Sequence, residues 1–264
     1  RLCGLPDLDQ ANPFVRGYLK DWIRTHVQKF NFDGIRIDTV PEVEKNFWSE
    51  YTQSAGVFSI GEIFNGNDGY IGQYQNHMDS ALNYGMHYTI RDVFARGQSM
   101  KQIPDRWAAN YRSYKDVDVL GLFVDNHDNA RFLNSQGDWR LFKSALLFSL
   151  TGRGIPIFYY GSEQGFNGGG DPQNREPLWK AMNRNHEIFK FVQAANKARR
   201  IQGAATAPFA EKWVDDNLYV FTRGRFFVAL TNRVNGSFSA DVPNTGFNDG
   251  QNLCNIFNSG DCTT

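Results

Sequence analysis

The sequence predicts an α/β fold, namely a partial (β/α)8 barrel followed by a small antiparallel β domain. Strand-like runs alternate with helix-like runs over most of the chain, which gives about five β/α units where a closed barrel needs eight. After about Gln202 helical periodicity stops, and the strand-like runs 217–222 and 225–231 flank a tight turn. We therefore expect the barrel part at residues 1–202 and the β domain at 203–264.

The first helix is predicted to begin at Asn12-Pro13, because Asn is a favoured N-cap and Pro a favoured first helical residue. An apolar stripe at helical spacing follows. Its members are Phe14, Tyr18, Trp22, Ile23, Val27 and Phe30. The stripe ends before Asp33-Gly34, where a β-branched run predicts the first strand, 34–38.

The following elements continue the alternation. A helix at 43–56 leads to a strand at 57–62, and a β-α-β order of this kind implies parallel strands. Later strands are predicted within 80–88, at 120–124 and at 154–160. Later helices are predicted at 90–112, 140–150 and 185–200.

Composition and charge exclude two classes of partner. The 28 basic and 28 acidic residues cancel, so no basic field attracts nucleic acid. The longest apolar stretches, such as 144–150, are too short to cross a bilayer, and no membrane partner is expected. Aromatic residues make up 15% of the chain, which suits both core packing and stacking on sugar faces.

The cysteines and one sequon favour a secreted protein. Cys254 and Cys262 flank a turn-like segment that a disulfide could close. Cys3 either pairs with sequence outside this chain or is a buried free thiol. Asn235-Gly236-Ser237 matches the N-glycosylation pattern in a polar turn. Together these features indicate an oxidising, extracellular setting.

Three predicted strands end in carboxylates. Arg36 and Asp38 lie two residues apart, so both side chains project to one side of their strand. Glu62 follows the second strand and Asp128 follows the run 120–124. Each could be structural: Asp38 an ion-pair partner, Glu62 a helix-capping acid, and the neighbouring His127 a core histidine. Together they indicate acid/base chemistry on a neutral polar substrate.

The motifs, taken in order, closely resemble the α-amylase family of glycoside hydrolases, in particular its secreted fungal members. The matching segments are 5–9, 34–38, 61–63, 123–129 and 154–163. The resemblance implies that the chain supplies about strands 4 to 8 of the barrel, with the tail of an inserted loop domain at 1–10. It also implies retaining endo-hydrolysis of α-1,4-glucosidic bonds in starch- or glycogen-type polysaccharides.

Carried over by position, the resemblance implies Asp38 as nucleophile and Glu62 as general acid/base. Asp128 would stabilise the transition state, Arg36 would orient Asp38, and His127 would hydrogen-bond the sugar. A retaining glycosidase needs one ionised and one protonated carboxyl group. We expect a shielded Asp38 that Arg36 keeps ionised, while burial and the charge of Asp128 favour the protonated form of Glu62.

The resemblance implies further substrate contacts. Asp171 and Arg175 would line the more distant glucose subsites, although their Gly-rich segment could equally be a surface turn. Phe64 would stack on the sugar beyond the scissile bond, and a core role is as plausible.

The resemblance also implies a calcium site. Asp7 matches a family calcium ligand, and Glu42 could offer its backbone carbonyl. Calcium needs six to eight oxygens, so most of its ligands would lie upstream of residue 1. Fungal members commonly carry Lys-His where this chain has Pro41-Glu42, so a lysine contact to the sugar is lost.

Because three barrel strands are missing from the pattern, we expect the chain to be a fragment of a longer enzyme that is inactive alone and monomeric at full length. One alternative is an α-glucan transglycosylase that passes the glycosyl group to another sugar. Another is a non-catalytic carbohydrate-binding relative, although such a protein would be expected to lose at least one of the three acids.

Overall fold

The structure is a computed structural model that describes Gly4 and residues 6–236, 239–258 and 260–264. Cys3, Leu5 of the first motif and Ser237 of the sequon therefore lie outside the described residues. The chain forms two compact units. Unit 1 comprises Arg1–Gly85 and Trp107–Gly121, and unit 2 comprises Met86–Arg106 and Leu122–Thr264.

Helices and strands alternate over the first two hundred residues, as the sequence predicts. The described α-helices are α1 (Pro13–Phe30), α2 (Lys45–Ala55), α3 (Asp68–Gly72), α4 (Tyr84–Ile90), α5 (Gln102–Ser113), α6 (Phe132–Ser135), α7 (Trp139–Thr151) and α8 (Glu187–Ile201). The described strands are β1 (Gly34–Ile37), β2 (Phe58–Gly61), β3 (Ser80–Ala81), β4 (Gly121–Phe123), β5 (Ile155–Ile157), β6 (Phe209–Val214), β7 (Leu218–Arg223), β8 (Phe226–Thr231), β9 (Leu253–Cys254) and β10 (Cys262–Thr263).

A parallel three-stranded sheet in the order β1-β2-β3 organises unit 1. Gly34 pairs with Phe58 and Ile37 pairs with Gly61, so the carboxyl ends of β1 and β2 are level with each other. The residues that follow these ends, Asp38 and Glu62, therefore emerge at the same edge of the sheet.

Helix α1 begins as predicted, because the side chain of Asn12 accepts a hydrogen bond from the Phe14 N–H and Pro13 is the first helical residue. The predicted apolar stripe is only partly buried. Only Ile23 and Val27 are buried, in a cluster with Ala55 of α2. Four stripe residues are exposed, because the described residues cover the helix on the α2 side alone: Phe14, Tyr18, Trp22 and Phe30.

The predicted helix 90–112 is interrupted. The chain is π-helical at Arg91–Ala95 and non-helical at 96–101 before α5 begins. Gly97 has φ +67° there, a conformation that helices exclude. The Met100 N–H donates to the Asp216 carbonyl instead of a helical partner, and this contact diverts the backbone.

Unit 2 contains the two-stranded β4-β5 sheet and an antiparallel sheet in the order β6-β7-β8. The predicted strands β7 and β8 meet at a turn where Gly224 has φ +60°. Strand β6 was not predicted, because a register shift between Glu211 and Trp213 breaks its alternation. The predicted Cys254–Cys262 disulfide is confirmed and joins β9 to β10.

Arg223 is a buried cation at the end of β7. Its guanidinium donates to the carbonyl oxygens of Gly152, Ala204 and Ala205 at 2.5, 2.6 and 3.1 Å. Gly152 terminates α7, so a side chain of the antiparallel sheet occupies the carbonyl end of that helix, where a positive charge is favoured.

Membrane-spanning helices are not found in the described part of the chain, where none is both long and apolar enough.

Candidate active site

Asp38 follows β1 and is held by Arg36 of the same strand. The Arg36 Nη1 donates to the Asp38 Oδ1 at 2.7 Å, as the spacing predicts. The two side chains are 40% and 66% exposed, so Asp38 is tethered but is not the shielded group that we expected. The exposure follows from the position of β1 at the edge of the three-stranded sheet described for unit 1.

Glu62 follows β2 and is buried, with a relative exposure of 5%. Each carboxylate oxygen accepts a hydrogen bond: Oε2 from the backbone N–H of Thr39 at 3.0 Å, and Oε1 from the Tyr84 hydroxyl at 3.4 Å. The Glu62 N–H donates to Ile37, and the Glu62 carbonyl accepts from Val40. The acid is therefore fixed at both its main chain and its side chain.

The register of β1 and β2 brings Asp38 and Glu62 near each other. Ile37 pairs with Gly61, and the two acids are the next residues along. Neighbouring strands lie about 4.8 Å apart. Retaining glycosidases hold their two carboxyl groups about 5–5.5 Å apart, whereas inverting enzymes leave a wider gap for water. The strand pairing is thus compatible with direct attack by one of the two carboxylates.

The turn after Asp38 is tightly constrained. Thr39 has φ 45° and ψ 43°, in the left-handed region that β-branched residues rarely adopt. Val40 is fully buried, and its carbonyl accepts a hydrogen bond from the Trp48 indole at 2.9 Å. Backbone strain at a position held by surrounding contacts is typical of functional sites.

Phe64 lies two residues after Glu62 and is 55% exposed. Its ring packs edge-to-face on Tyr84, with centroids 4.9 Å apart. The exposure argues against the alternative of a core residue and leaves an aromatic face open to a ligand.

In unit 2, Asp128 lies in a turn that Asn126 organises. The Asn126 Oδ1 accepts from the backbone N–H groups of Asp128 and Asn129, at 3.2 and 2.9 Å. The His127 Nε2 lies 3.3 Å from the Asp128 Oδ2. The Arg175 Nη2 lies 3.6 Å from the Asp128 Oδ1. The turn therefore gathers a carboxylate, an imidazole and a guanidinium.

The Gly-rich segment at 168–176 is not an isolated surface turn. The Arg175 Nε donates to the Asp171 Oδ1 at 2.7 Å, and the same guanidinium faces Asp128. The structure thus places Asp128, His127, Asp171 and Arg175 together within unit 2. It also places Asp38, Arg36, Glu62 and Phe64 together within unit 1.

A buried ionic network surrounds Asp125, three residues before Asp128. Asp125 accepts hydrogen bonds from the Phe132 N–H at 2.7 Å and the Ser162 hydroxyl at 2.9 Å. The Arg91 Nη1 lies 3.7 Å from its Oδ1. Burial raises the pKa of Asp125, although these contacts partly oppose it. Burial, and then the charge of Arg91, lowers the pKa of His87 to about 3.

The calcium prediction has little support within this chain. Among the described residues, no group of three or more His, Cys, Asp and Glu side chains is placed to hold a metal ion. Asp7 and Glu42 are both exposed. Since calcium takes six to eight oxygens, these two residues alone do not form its site.

Four residues that hold the site were not singled out from the sequence: Thr39, Tyr84, Asp125 and Asn174. Thr39 and Asp125 each lie within three residues of a predicted acid, and that proximity was the available signal. Tyr84 and Asn174 reach their partners across the fold. Asn174 also lies beside the predicted Arg175, whereas no local pattern marks Tyr84.

Comparisons with known proteins identify the family to which the chain is similar. A family model described as "Alpha amylase, catalytic domain" matches residues 2–230. A "Beta/alpha-amylase" from Paenibacillus polymyxa is 42% identical over 233 residues, which covers 85% of this chain and 19% of that protein. An "Alpha-amylase" from Saccharomycopsis fibuligera is 33% identical over 261 residues, which covers 96% of this chain and 53% of that protein.

Among solved structures, an alpha-amylase from Malbranchea cinnamomea matches with a TM-score of 0.92 and 31% sequence identity. The match covers 98% of this chain and 58% of that chain. The chain thus spans about half the length of the fungal proteins it matches, and a fifth of the bacterial one.

Proposed function

The chain belongs to the alpha-amylase family of glycoside hydrolases, and from that premise we propose that it carries the catalytic acids of a retaining enzyme. The reaction is endo-hydrolysis of α-1,4-glucosidic bonds in starch- or glycogen-type polysaccharides. The observation that supports it most is the level pairing of β1 and β2, which puts an arginine-tethered Asp38 beside a buried Glu62.

The proposed mechanism has two steps. In the first, the Asp38 carboxylate attacks the anomeric carbon and forms a glycosyl ester, while protonated Glu62 gives its proton to the departing oxygen. In the second, ionised Glu62 removes a proton from water, and the resulting hydroxide oxygen displaces Asp38 from the sugar. Glu62 regains its proton and Asp38 its charge, so both acids return to their starting states.

The remaining predicted site residues receive supporting roles in the proposal. Asp128 stabilises the positive charge that develops on the sugar ring, and His127 hydrogen-bonds that sugar. Asp171 and Arg175 contact more distant glucose units. Phe64 stacks on the sugar beyond the scissile bond. The exposed ring of Phe64 and the ion pair between Asp171 and Arg175 are compatible with these roles.

Because the chain covers only part of its relatives, we propose this activity for a protein that contains the chain, whatever its full extent. Residues 1–264 alone are proposed to have negligible activity, since Asp38 is 66% exposed and lacks the desolvated surroundings that strengthen electrostatic stabilisation of the transition state. We keep the division into a barrel part, 1–202, and a β domain, 203–264.

Secretion, a glycan on Asn235 and a monomeric state are also proposed. The Cys254–Cys262 disulfide and the exposure of Asn235 support an extracellular setting. For calcium, Asp7 and the Glu42 carbonyl are proposed to supply two oxygens at most, with the remaining ligands outside this chain.

Maltoheptaose cleavage by the Asp38→Asn and Glu62→Gln variants of a protein that contains this chain tests the function. Each change removes a group that reacts, so the rate is expected to fall by at least about 10³-fold. Asp33→Asn is a matched control, because Asp33 is exposed and precedes β1 at its opposite end. Full-rate hydrolysis by Asp38→Asn would refute the proposal.

Product analysis in the same assay separates the two alternatives. Oligosaccharides longer than maltoheptaose would assign an α-glucan transglycosylase. Binding of maltoheptaose without any cleavage, with all three acids intact, would assign a non-catalytic relative.

A further inference from the structure

A fully buried asparagine, Asn174, connects the loop at 168–176 to the turn that carries Asp128. Its Nδ2 donates to the backbone carbonyl of His127 at 2.9 Å and to that of Asn129 at 2.8 Å. These carbonyls belong to the residues immediately before and after Asp128. One amide nitrogen therefore holds the main chain on both sides of the proposed catalytic carboxylate.

The contact requires a neutral group with two donors. A side-chain amide nitrogen has two N–H groups, and here each faces a carbonyl oxygen. Rotating the amide by half a turn would place its Oδ1 against both carbonyls. An aspartate at this position would put a carboxylate oxygen there, which would remove both hydrogen bonds and leave that oxygen facing two carbonyl oxygens that repel it.

Asn174 is itself fixed from both sides. Its backbone carbonyl accepts a hydrogen bond from the Tyr159 hydroxyl at 3.2 Å. Two residues later, the Glu176 Oε2 accepts from the Nε of fully buried Arg131 at 2.7 Å. The Glu176 Oε1 accepts from the Gly168 N–H at 2.7 Å, which closes the loop at its other end.

We propose that Asn174 is a positioning residue that sets the location of Asp128 relative to Asp171 and Arg175. Asp171 and Arg175 lie on either side of Asn174 in the loop. Asn174 touches no reacting atom in this proposal and acts through the backbone of His127 and Asn129. The proposal rests on the catalytic role proposed for Asp128. The loop that would contact distant glucose units and the carboxylate that would stabilise the transition state thereby move as one body.

Amide hydrogen exchange tests the positioning directly. In Asn174→Asp, exchange within 126–129 is expected to become at least tenfold faster, with less than a twofold change in α7. Asn174→Ala removes the donors without adding a charge and serves where Asn174→Asp does not fold. Asn134→Asp is the matched control, because Asn134 is exposed and its Nδ2 donates to a single loop carbonyl, that of Asn167.

Kinetics in a protein that contains this chain give the second measurement. Asn174→Ala is expected to lower kcat by at least thirtyfold with KM within threefold, because a displaced Asp128 affects the transition state more than the ground state. Asn134→Asp should retain both constants. Unchanged exchange within 126–129 in a folded Asn174→Ala, or an unchanged kcat, would overturn the proposal.

The two measurements separate this proposal from the proposed function. An unsubstituted protein that cleaves no glucan would contradict the proposed function and the catalytic consequence. Faster exchange at 126–129 would still establish that Asn174 holds the turn, and unchanged exchange would refute it.

Discussion

The backbone N–H of Thr39 donates a hydrogen bond to the Oε2 of Glu62 at 3.0 Å. Thr39 immediately follows Asp38, so the residue after the proposed nucleophile holds the proposed general acid/base. Thr39 itself is in the left-handed region, with φ 45°. The two acids are therefore coupled through one peptide group.

The strain at Thr39 predicts a stabilising substitution. Asn adopts the left-handed region more readily than a β-branched residue, and Thr39→Asn keeps the N–H that binds Glu62. The free energy of unfolding is expected to rise by about 1 kcal/mol, measured by urea denaturation. Thr39→Val is the control, because its branched side chain retains the strain. Equal stability of the two variants would contradict the interpretation.

A substitution at Gly61 is expected to destabilise the protein. A Cβ at Gly61 would overlap the Met78 Sδ and lie 3.0 Å from the Val40 Cγ2, in the strand that delivers Glu62. Gly61→Ala is expected to lower the free energy of unfolding by about 1–3 kcal/mol. Gly17→Ala, where a Cβ meets nothing within 4 Å in the middle of α1, should instead stabilise by about 0.5–1 kcal/mol. A neutral Gly61→Ala would show that Met78 repacks freely.

Replacement of Tyr84 is expected to lower kcat/KM in a protein that contains this chain. Its hydroxyl donates to the Glu62 Oε1 at 3.4 Å, so Tyr84→Phe removes one of the two hydrogen bonds to the carboxylate. We expect kcat/KM to fall by about three- to tenfold. Tyr18→Phe, on the exposed face of α1, should leave kcat/KM unchanged.

His87 predicts a pH dependence of stability. Burial lowers its pKa to about 3 in the folded chain, whereas an unfolded histidine titrates near 6.5. Between these values the unfolded state binds the additional proton, so stability falls as the pH drops from about 6.5 towards 3. The contribution of His87 to this loss is at most about 5 kcal/mol.

His87→Gln should weaken the pH dependence, measured by urea denaturation at pH 7, 5 and 4. Asp125 contributes in the opposite direction, because burial raises its pKa, and it is present in both proteins. Parallel curves for the two proteins would exclude His87 as the cause.

Local signals in the sequence were sufficient for the strands β1, β2, β4 and β5 and for Asp38 and Glu62, which follow the first two. Arg36 and Asp38 were predicted to face the same side because strand geometry alone requires it, and their hydrogen bond confirms this. The Asn12 N-cap was recognisable for the same reason, since its partner lies two residues away. The Cys254–Cys262 disulfide also closes a short segment.

Contacts across the fold could not be predicted in this way. Tyr84 and Asn174 act on residues 22 and 47 positions away. Asn174 lies in the Gly-rich segment that the sequence marks, but nothing in that segment indicates its partners. Burial of the apolar stripe on α1 could not be predicted from local sequence either. Its spacing identifies an apolar face, but the extent of its burial depends on which elements pack against it, and Phe14 remains 77% exposed.

The guanidinium of Arg223 has a practical consequence for dissecting this protein. A version that ends at residue 202 would lack Arg223 and would deprive the Gly152 carbonyl, which ends α7, of its donor. Excising the antiparallel sheet would thus uncap a helix some seventy residues upstream. Separate expression of residues 1–202 is therefore a poor way to study the chemistry of the acids, and single side-chain replacements are the better route.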